Sequence, residues 1–322
     1  HNLGIDYETL SAKNPRLIYC DNTAFGRLGP QRHRPGYDII AQAMSGLLAS
    51  EGKMENGVPQ QIQSTAIADH ATGIAMAWGL CAALFHRERT GKGQKVEATL
   101  LGTALGIQTS RFLQVAAMDE RPRAEFLETL AHLRASGVDY EQINEHYQQL
   151  SEFWSRHVYY RTHQASDGVL AIGCLSDTLR LRFLQVLGLE DIRYQEGFDP
   201  KSKESRVHTQ ALRAKAEAIF RQRSVEEWLN LLDAAGVPAG RLSFVEELVN
   251  DEQVVANDLV VELKHSLAGK LHMVGPLLKM SETPLEARSA SPALGEHSGE
   301  ILRQMGYGAE EIGRLREAGV TR

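Results

Sequence analysis

The apolar run Gly73–Phe85 constrains this chain more than any other stretch. It is thirteen residues without a charge, entered past Asp69 and left through His86, Arg87 and Arg89. A run of this length bounded by an acid and by bases predicts a helix over His70–Arg89, since the charges at each end oppose the helix dipole. Gly91 then supplies a left-handed stop. Thirteen residues are too few to span a bilayer, so the expectation is a packed helix. Asp69 at its mouth has two readings that do not exclude each other. It is a helix N-cap whose side chain accepts a bond from a first-turn amide, or it is a reactive carboxylate. The helix N-terminus would keep it ionised, and spare amide donors would steady an oxyanion. His70 beside it is a candidate partner, or a histidine merely tolerated in a first turn.

The flanks place this helix in an α/β setting. Asp6–Lys13 reads as a short helix with an Asp cap, broken at Asn14-Pro15, and Arg16–Cys20 reads as a buried strand. A helix followed at once by such a strand is half of a βαβ unit. After a glycine-bearing loop, Phe25–Pro30, Ile39–Ala49 is expected to be one packed helix, and Lys95–Leu100 a strand or the approach to another helix. From 119 to 157 the chain is charged and helical, a linker or surface excursion. A second unit opens with a hairpin, Val158–Thr162 and Gly168–Gly173, turning at Ser166-Asp167-Gly168. Helices follow at 176–187, 205–222 and 224–235, the last with the capping-box spacing Ser224–Glu227. Strands at Val260–Leu263 and Lys270–Val274 flank a turn at Gly269, and helices at Ser298–Met305 and Ala309–Ala318 close the chain. The organisation expected is 1–118 for a large domain, 119–157 for a helical linker, 158–274 for a small α+β domain, and 275–322 for a return to the large domain.

Several function classes are excluded or disfavoured. A net charge of −6 over 322 residues gives no electrostatic reason for nucleic acid or an anionic membrane as partner. Cys20, Cys81 and Cys174 are odd in number and far apart, neither a disulfide framework nor a metal set, which fits a reducing cytoplasm. No His/Cys/Asp cluster has metal spacing, so no metal is expected. Gly26-x-x-Gly29 lacks the lysine of a phosphate loop, and no Gly-x-Ser-x-Gly elbow is present. The N-terminal His1–Asp6 is no signal peptide, and the first residue is not Met, so the chain is expected to be trimmed or a fragment.

Five segments in order carry a resemblance: Asn14–Tyr19, Arg34–Gly46, His86–Gln94, Ala235–Gly240 and Pro292–His297. Together they resemble the class III CoA-transferases, the family of formyl-CoA and carnitine CoA-transferases. The resemblance implies a Rossmann-like large domain with a parallel sheet, a smaller α+β domain, and an interlocked homodimer. It also implies a function, transfer of coenzyme A from an acyl-CoA to a free carboxylic acid, with CoA as substrate and no tightly bound cofactor. The family's catalytic aspartate lies just before the long apolar helix, the place Asp69 occupies. It attacks the thioester to give a mixed anhydride, then an aspartyl-CoA thioester. Phe25, Gly26, Arg34 and Tyr37 are the expected contacts to the acyl-CoA.

The same superfamily includes α-methylacyl-CoA racemases, which carry a His where this chain has Tyr37. A phenol, with a pKa near ~10 when unperturbed, is a poor proton acceptor at neutral pH, so Tyr37 favours transfer over racemisation. The bland reading of Tyr37 is a packed aromatic with its hydroxyl bonded to backbone. Residues 130–157 carry no counterpart of the glycine-rich loop that closes over the intermediate in formyl-CoA transferases. The resemblance further implies that the chain is expected to begin partway into the family pattern, beyond the βαβ units that in the family supply much of the CoA pocket. A non-catalytic acyl-CoA-binding fragment is therefore the reading from another class.

Overall fold

The computed structural model describes residues 3–155, 158–199 and 202–322. Residues 1 and 2, at the expected N-terminal start, and 156 and 157, at the end of the expected helical linker, lie outside these. The chain divides into two units, His1–Ser155 and Arg156–Arg322.

The first unit begins with α1 (Tyr7–Lys13), where Asp6 accepts from the Thr9 amide at 3.0 Å, as its cap spacing predicts. Strand β1 is Tyr19–Thr23, three residues further on than the apolar stretch Arg16–Cys20 suggests. Asn14 and Pro15 explain the shift. The Leu17 amide closes a turn on Asn14 O, and Pro15 O is taken by the Gly93 amide, so the chain is released into a strand only at Tyr19. Next come α2 (Asp38–Met44) and α3 (Leu47–Glu51), in place of the single helix expected over Ile39–Ala49. Gly46, at φ 82°, turns the chain left-handed between them. A small hairpin, β2 (Met54–Glu55) and β3 (Val58–Pro59), precedes α4 (Ile67–Thr90). Gly91, at φ 75°, ends α4 as its sequence position predicts.

Strand β4 (Lys95–Thr99) pairs with β1 in parallel, Tyr19 opposite Lys95 and Thr23 opposite Thr99. The helices α5 (Leu100–Gly106), α6 (Thr109–Phe112), α7 (Ala116–Ala135) and α8 (Tyr140–Ser155) complete the unit. Its buried centre is built from small side chains, with Ala41, Ala68 and Ala104 fully buried around Leu100. Methyl groups in place of larger chains let α2, α4 and α5 approach closely at their starts. Further along, a Cβ at Gly79 would stand 2.7 Å from Val96 Cγ1, so α4 lies directly on β4 there. The opposite side of α4 is exposed and apolar, with Ile74, Trp78 and Phe85 all more than 60% accessible. By length and composition alone α4 would suffice to cross a membrane.

In the second unit β5 (Tyr160–Gln164) and β6 (Val169–Gly173) form the antiparallel hairpin expected around Asp167-Gly168. The helices α9 (Asp177–Leu187), α10 (Lys203–Phe220) and α11 (Val225–Ala234) lie close to their expected spans, and the Ser224–Glu227 capping box is formed on both sides. β7 (Ala239–Arg241) adds a third antiparallel strand beside β6, which local pattern did not announce. Short α12 (Glu252–Ala256), the hairpin β8 (Val260–His265) and β9 (Gly269–Val274), then α13 (Ser298–Gln304) and α14 (Ala309–Glu317) follow. One core holds the three-stranded sheet to α9–α11. Phe183, Phe220, Leu170 and Trp228 are buried in it, each contributing about 2–3 kcal/mol by leaving water. Trp228 Nε1 donates to Phe220 O at 2.8 Å, so the indole is buried without an unmet donor.

Candidate active site

Parallel strands β1 and β4 end side by side at Thr23 and Thr99. Beyond these carboxyl ends the chain makes the Phe25–Gly26 loop after β1 and the start of α5 after β4. The Leu101 amide, donating to Ala24 O at 3.0 Å, ties the two together. Because α4 feeds β4 from its far end, the first turn of α4 comes back to this same edge. Thr72 Oγ1 and Thr103 Oγ1 meet at 2.5 Å and join the starts of α4 and α5. The crevice beyond the carboxyl ends of parallel strands is where α/β sheets bind ligands.

Asp69 is the third residue of α4, not its cap. The cap position is Ala66, and no side chain of the cap residue bonds there. Asp38, the first residue of α2, does that work from across the unit. Its Oδ1 accepts from the amides of Ala68 at 2.7 Å and Asp69 at 3.3 Å. Its Oδ2 accepts from Gln42 Nε2, and Gln42 Oε1 in turn accepts from the Ile62 amide at 3.1 Å. Gln42 is 1% exposed, so this relay from the 62-loop through α2 to α4 is fixed by burial.

The first-turn amides expected to be spare are in fact engaged: Ile67 on Thr65 O, Ala68 and Asp69 on Asp38, and His70 on Ala66 O. An oxyanion at Asp69 therefore needs donors other than these. The Asp69 side chain itself is exposed and accepts no hydrogen bond among the described residues. Neither is His70 its partner. The imidazole Nδ1 lies 2.9 Å from Ala66 O and 3.0 Å from Thr65 Oγ1, which ties the ring to its own turn. A proton on Nδ1 satisfies the Ala66 carbonyl.

Tyr37 precedes Asp38, and its carbonyl opens α2 by accepting from Ile40 and Ala41. Its ring is 79% exposed, so it is not the packed aromatic of the bland reading. The hydroxyl has no partner among the described residues. Gly36 explains how Phe25 joins Tyr37: a Cβ at 36 would stand 2.4 Å from Ala24 Cβ and 3.0 Å from the Phe25 ring. Only glycine lets the Phe25 loop lie against the approach to α2. Gly26 has φ 93°, a left-handed turn held by its amide on Thr23 Oγ1 at 2.9 Å. Phe25, Gly26, Tyr37 and Asp69 thus gather at one edge through named contacts. Arg34 is an exposed residue of the same connection, with its guanidinium on Gln31 Oε1 at 2.8 Å.

Asp38 and Gln42 are the residues that sequence reasoning passed over. Both lie inside the Arg34–Gly46 motif, but a cap reaching thirty residues along the chain leaves no local signal. A neighbouring acid, Asp21 on β1, is bound by the Arg27 guanidinium at 2.6 and 2.8 Å, which holds its carboxyl below the usual range. That pair fixes the loop after β1. Among the described residues no three His, Cys, Asp or Glu side chains come together to hold a metal.

The match to the model of CoA-transferase family III extends over residues 1–298, and the chain belongs to that family. Among its relatives, an acyl-CoA transferase of Fusarium pseudograminearum is 29% identical over 320 residues, covering 99% of this chain and 64% of the relative. The succinyl-CoA:glutarate CoA-transferase of Mus musculus is 29% identical over 308 residues, covering 94% and 63%. This chain therefore spans slightly under two thirds of the length of these relatives. A CAIB/BAIF family protein from Brucella suis has a similar solved structure, with TM-score 0.64 and 28% identity over 94% of this chain and 71% of that one. The fold is also that of Rv3272 from M. tuberculosis, TM-score 0.68 at 23% identity, covering 92% and 72%.

Proposed function

We propose that this chain carries the nucleophile of a CoA-transferase that moves coenzyme A from an acyl-CoA to a free carboxylic acid, with Asp69 as that nucleophile. One observation carries the reading: an exposed, unengaged carboxylate on the first turn of α4, in a helix start whose capping is done by another acid. A residue needed as a cap would be bound to its own amides. Asp69 is free of that duty, and the N-terminal field of α4 favours its anion.

Each step conserves acyl activation. An Asp69 carboxylate oxygen attacks the thioester carbonyl carbon, the C–S bond breaks, and CoA leaves as thiolate, giving a mixed anhydride. The thiolate attacks Asp69 Cγ, releasing the donor's acid and leaving an aspartyl-CoA thioester. The acceptor's carboxylate opens this to a second anhydride, and the thiolate returns to the acceptor's acyl carbon, which frees Asp69. No proton is consumed and no ATP is needed. The protein contributes placement and exclusion of water. Tyr37 and Phe25 border this edge and are proposed to contact the acyl-CoA, with Gly26 allowing close approach and Arg34 reaching an anionic group.

The finer architecture proposed, which divides the chain differently from the two compact units split after Ser155, is a Rossmann-like large domain including 1–118 and 275–322, a linker at 119–157 and a small domain at 158–274. An interlocked homodimer and a cytoplasmic setting complete the reading. No membrane partner is proposed for α4, because Gly79 seats it on Val96 of β4 and four consecutive polar residues, His86–Arg89, occupy its last turns. Racemisation by the same superfamily scaffold is the second reading. The exposed phenol of Tyr37 disfavours it, since a base is needed opposite the α-carbon.

The test incubates the protein with a panel of acyl-CoAs and free acids and follows exchanged CoA esters by mass spectrometry. Hydroxylamine or borohydride trapping is expected to mark Asp69. Transfer by Asp69→Asn at the parent rate sinks the mechanism. Exchange of the α-proton in deuterated water without an acceptor acid would replace it by the racemase reading.

A further inference from the structure

The first unit has a second, half-open concavity whose lining does not include the Asp69 turn. Its volume is about 510 Å³, and its walls come from the end of α2, from α3, α6, α7 and α8, and from Pro59. That volume falls in the range of small-molecule sites. Most of the wall is apolar: Met44, Leu48, Phe112, Phe126, Leu130 and Ile143. The floor is held by a chain of polar contacts. Gln108 donates its amide to Ala104 O at 2.8 Å and Ser45 O at 3.3 Å, and Ser50 Oγ reaches Gln108 Oε1 at 3.5 Å and Tyr147 OH at 3.4 Å. The Phe126 and Tyr147 rings pack against each other at 5.6 Å, so helices α7 and α8 set one wall jointly.

Arg111 of α6 and Arg134 of α7, both solvent-exposed, are among the residues lining the same concavity, and no Asp or Glu is. Among the described residues neither arginine has a carboxylate partner. Two solvent-exposed cations beside a largely apolar concavity offer a head-group position for an anion. The apolar wall asks that such an anion carry an apolar body. Guanidinium forks match carboxylate and phosphate geometry alike.

We infer that this cavity is a binding site for an amphipathic organic acid, its carboxylate held by Arg111 and Arg134 and its hydrocarbon body lodged among Phe112, Phe126, Leu130 and Ile143. The site does not depend on the chemistry at Asp69. Its occupant is bound, not transformed, because no nucleophile or general base lines the chamber apart from hydroxyls already bonded or phenolic. Burial pushes the Tyr140 phenol upward, so this lining hydroxyl stays neutral.

The test is calorimetric titration of the 322-residue chain with octanoate, octanol and octyl phosphate. One molecule of octanoate is expected to bind, with octanol at least tenfold weaker. Arg111→Gln with Arg134→Gln is expected to weaken octanoate about tenfold and leave octanol unchanged. Leu130→Trp, which fills the chamber, is expected to abolish both. Methyl NMR gives the second readout: octanoate should shift Leu130, Ile143 and Met44 in the parent and in Asp69→Asn alike, so this site and the transferase reading fail separately. The proposal is overturned if octanol binds as tightly as octanoate, if the double arginine variant is unaffected, or if those methyls do not move. Tighter binding of octyl phosphate than of octanoate assigns the head group to phosphate and overturns the carboxylate.

Discussion

Asp38 holds the helix that carries Asp69: its Oδ1 accepts from the Asp69 amide at 3.3 Å and from the preceding Ala68 amide at 2.7 Å. Two acids thus divide the work of one helix start, one as cap and the other left exposed. The division separates stability from chemistry, and substitutions at the two positions should separate them as well.

Asp69→Asn is expected to leave stability within about 0.5 kcal/mol of the parent, because the side chain accepts no bond among the described residues and sits in solvent. The same substitution is expected to remove the trapped covalent adduct. Denaturant midpoints and intact-mass trapping check the two halves. A loss near 2 kcal/mol would mean that the Asp69 carboxylate supports the fold after all.

Asp38→Ala should behave in the opposite sense. It strips a cap from two amides, worth about 1 kcal/mol. It also leaves the buried Gln42 amide without its acceptor, at about 1–3 kcal/mol more. Asp38→Asn is expected to lie between. Asn Oδ1 can still cap α4, but its amide then meets the Gln42 amide, donor against donor. Gln42 cannot flip to relieve this without giving up the Ile62 amide. Adduct formation at Asp69 is expected to slow in the order parent, Asn, Ala, with hydrogen exchange at Ala68 and Asp69 rising in the same order.

The cap is instructive about what a sequence reveals. Helix ends written locally were legible: Asp6 before Thr9, Gly91 after the basic turn, and Ser224 with Glu227 all do what their spacing says. The family-bearing motifs located the edge where Asp69 sits. What was not legible depends on partners far along the chain. β1 runs on to Thr23 because it pairs with Lys95–Thr99, although its own apolar residues end at Cys20. β7 is three residues long and exists only because β6 offers an edge. Gly46 lies in an apolar run that periodicity reads straight through, and its positive φ breaks that run into α2 and α3. Without the break, Asp38–Gln42 and the Ser50 that meets Gln108 and Tyr147 would belong to one continuous helix.

His163 should make the second unit sensitive to acid. It is 2% exposed and stacked on Phe220 at 4.3 Å, and its Nε2 meets Val158 O at 3.1 Å. Its Nδ1 has no partner among the described residues. Burial depresses the imidazole from 6.5 to about 4. Between those values the unfolded chain takes up a proton that the folded one refuses. Stability is therefore full above about pH 6.5 and falls as pH drops toward 4, by at most about 3 kcal/mol. Hydrogen exchange along β5 at pH 7 and pH 5 measures this, and His163→Phe should flatten that slope whatever it does to stability at pH 7. An unchanged slope would show that the charge is accommodated without unfolding.

Gly93 offers the sharpest steric prediction, because it is backbone that blocks the way. A Cβ there would stand 1.9 Å from Leu17 O and 2.6 Å from Arg16 C. The Gly93 amide donates to Pro15 O at 2.9 Å, and Tyr19 follows with its amide on Gln94 O at 3.0 Å. These bonds start the β1–β4 ladder. Gly93→Ala must push the two chains apart exactly where the ladder begins, with no flexible side chain to yield. A cost of about 1–3 kcal/mol is expected, at the upper end because carbonyl and Cβ cannot both stay in place. The strain should pass along β1 to the Phe25 loop, since Leu101 ties that loop to α5. Adduct formation at Asp69 should then slow while the second unit keeps its parent stability. Hydrogen exchange distinguishes this from a global effect: protection is expected to fall along β1 and not along β5, and equal loss at both would contradict the local origin argued here.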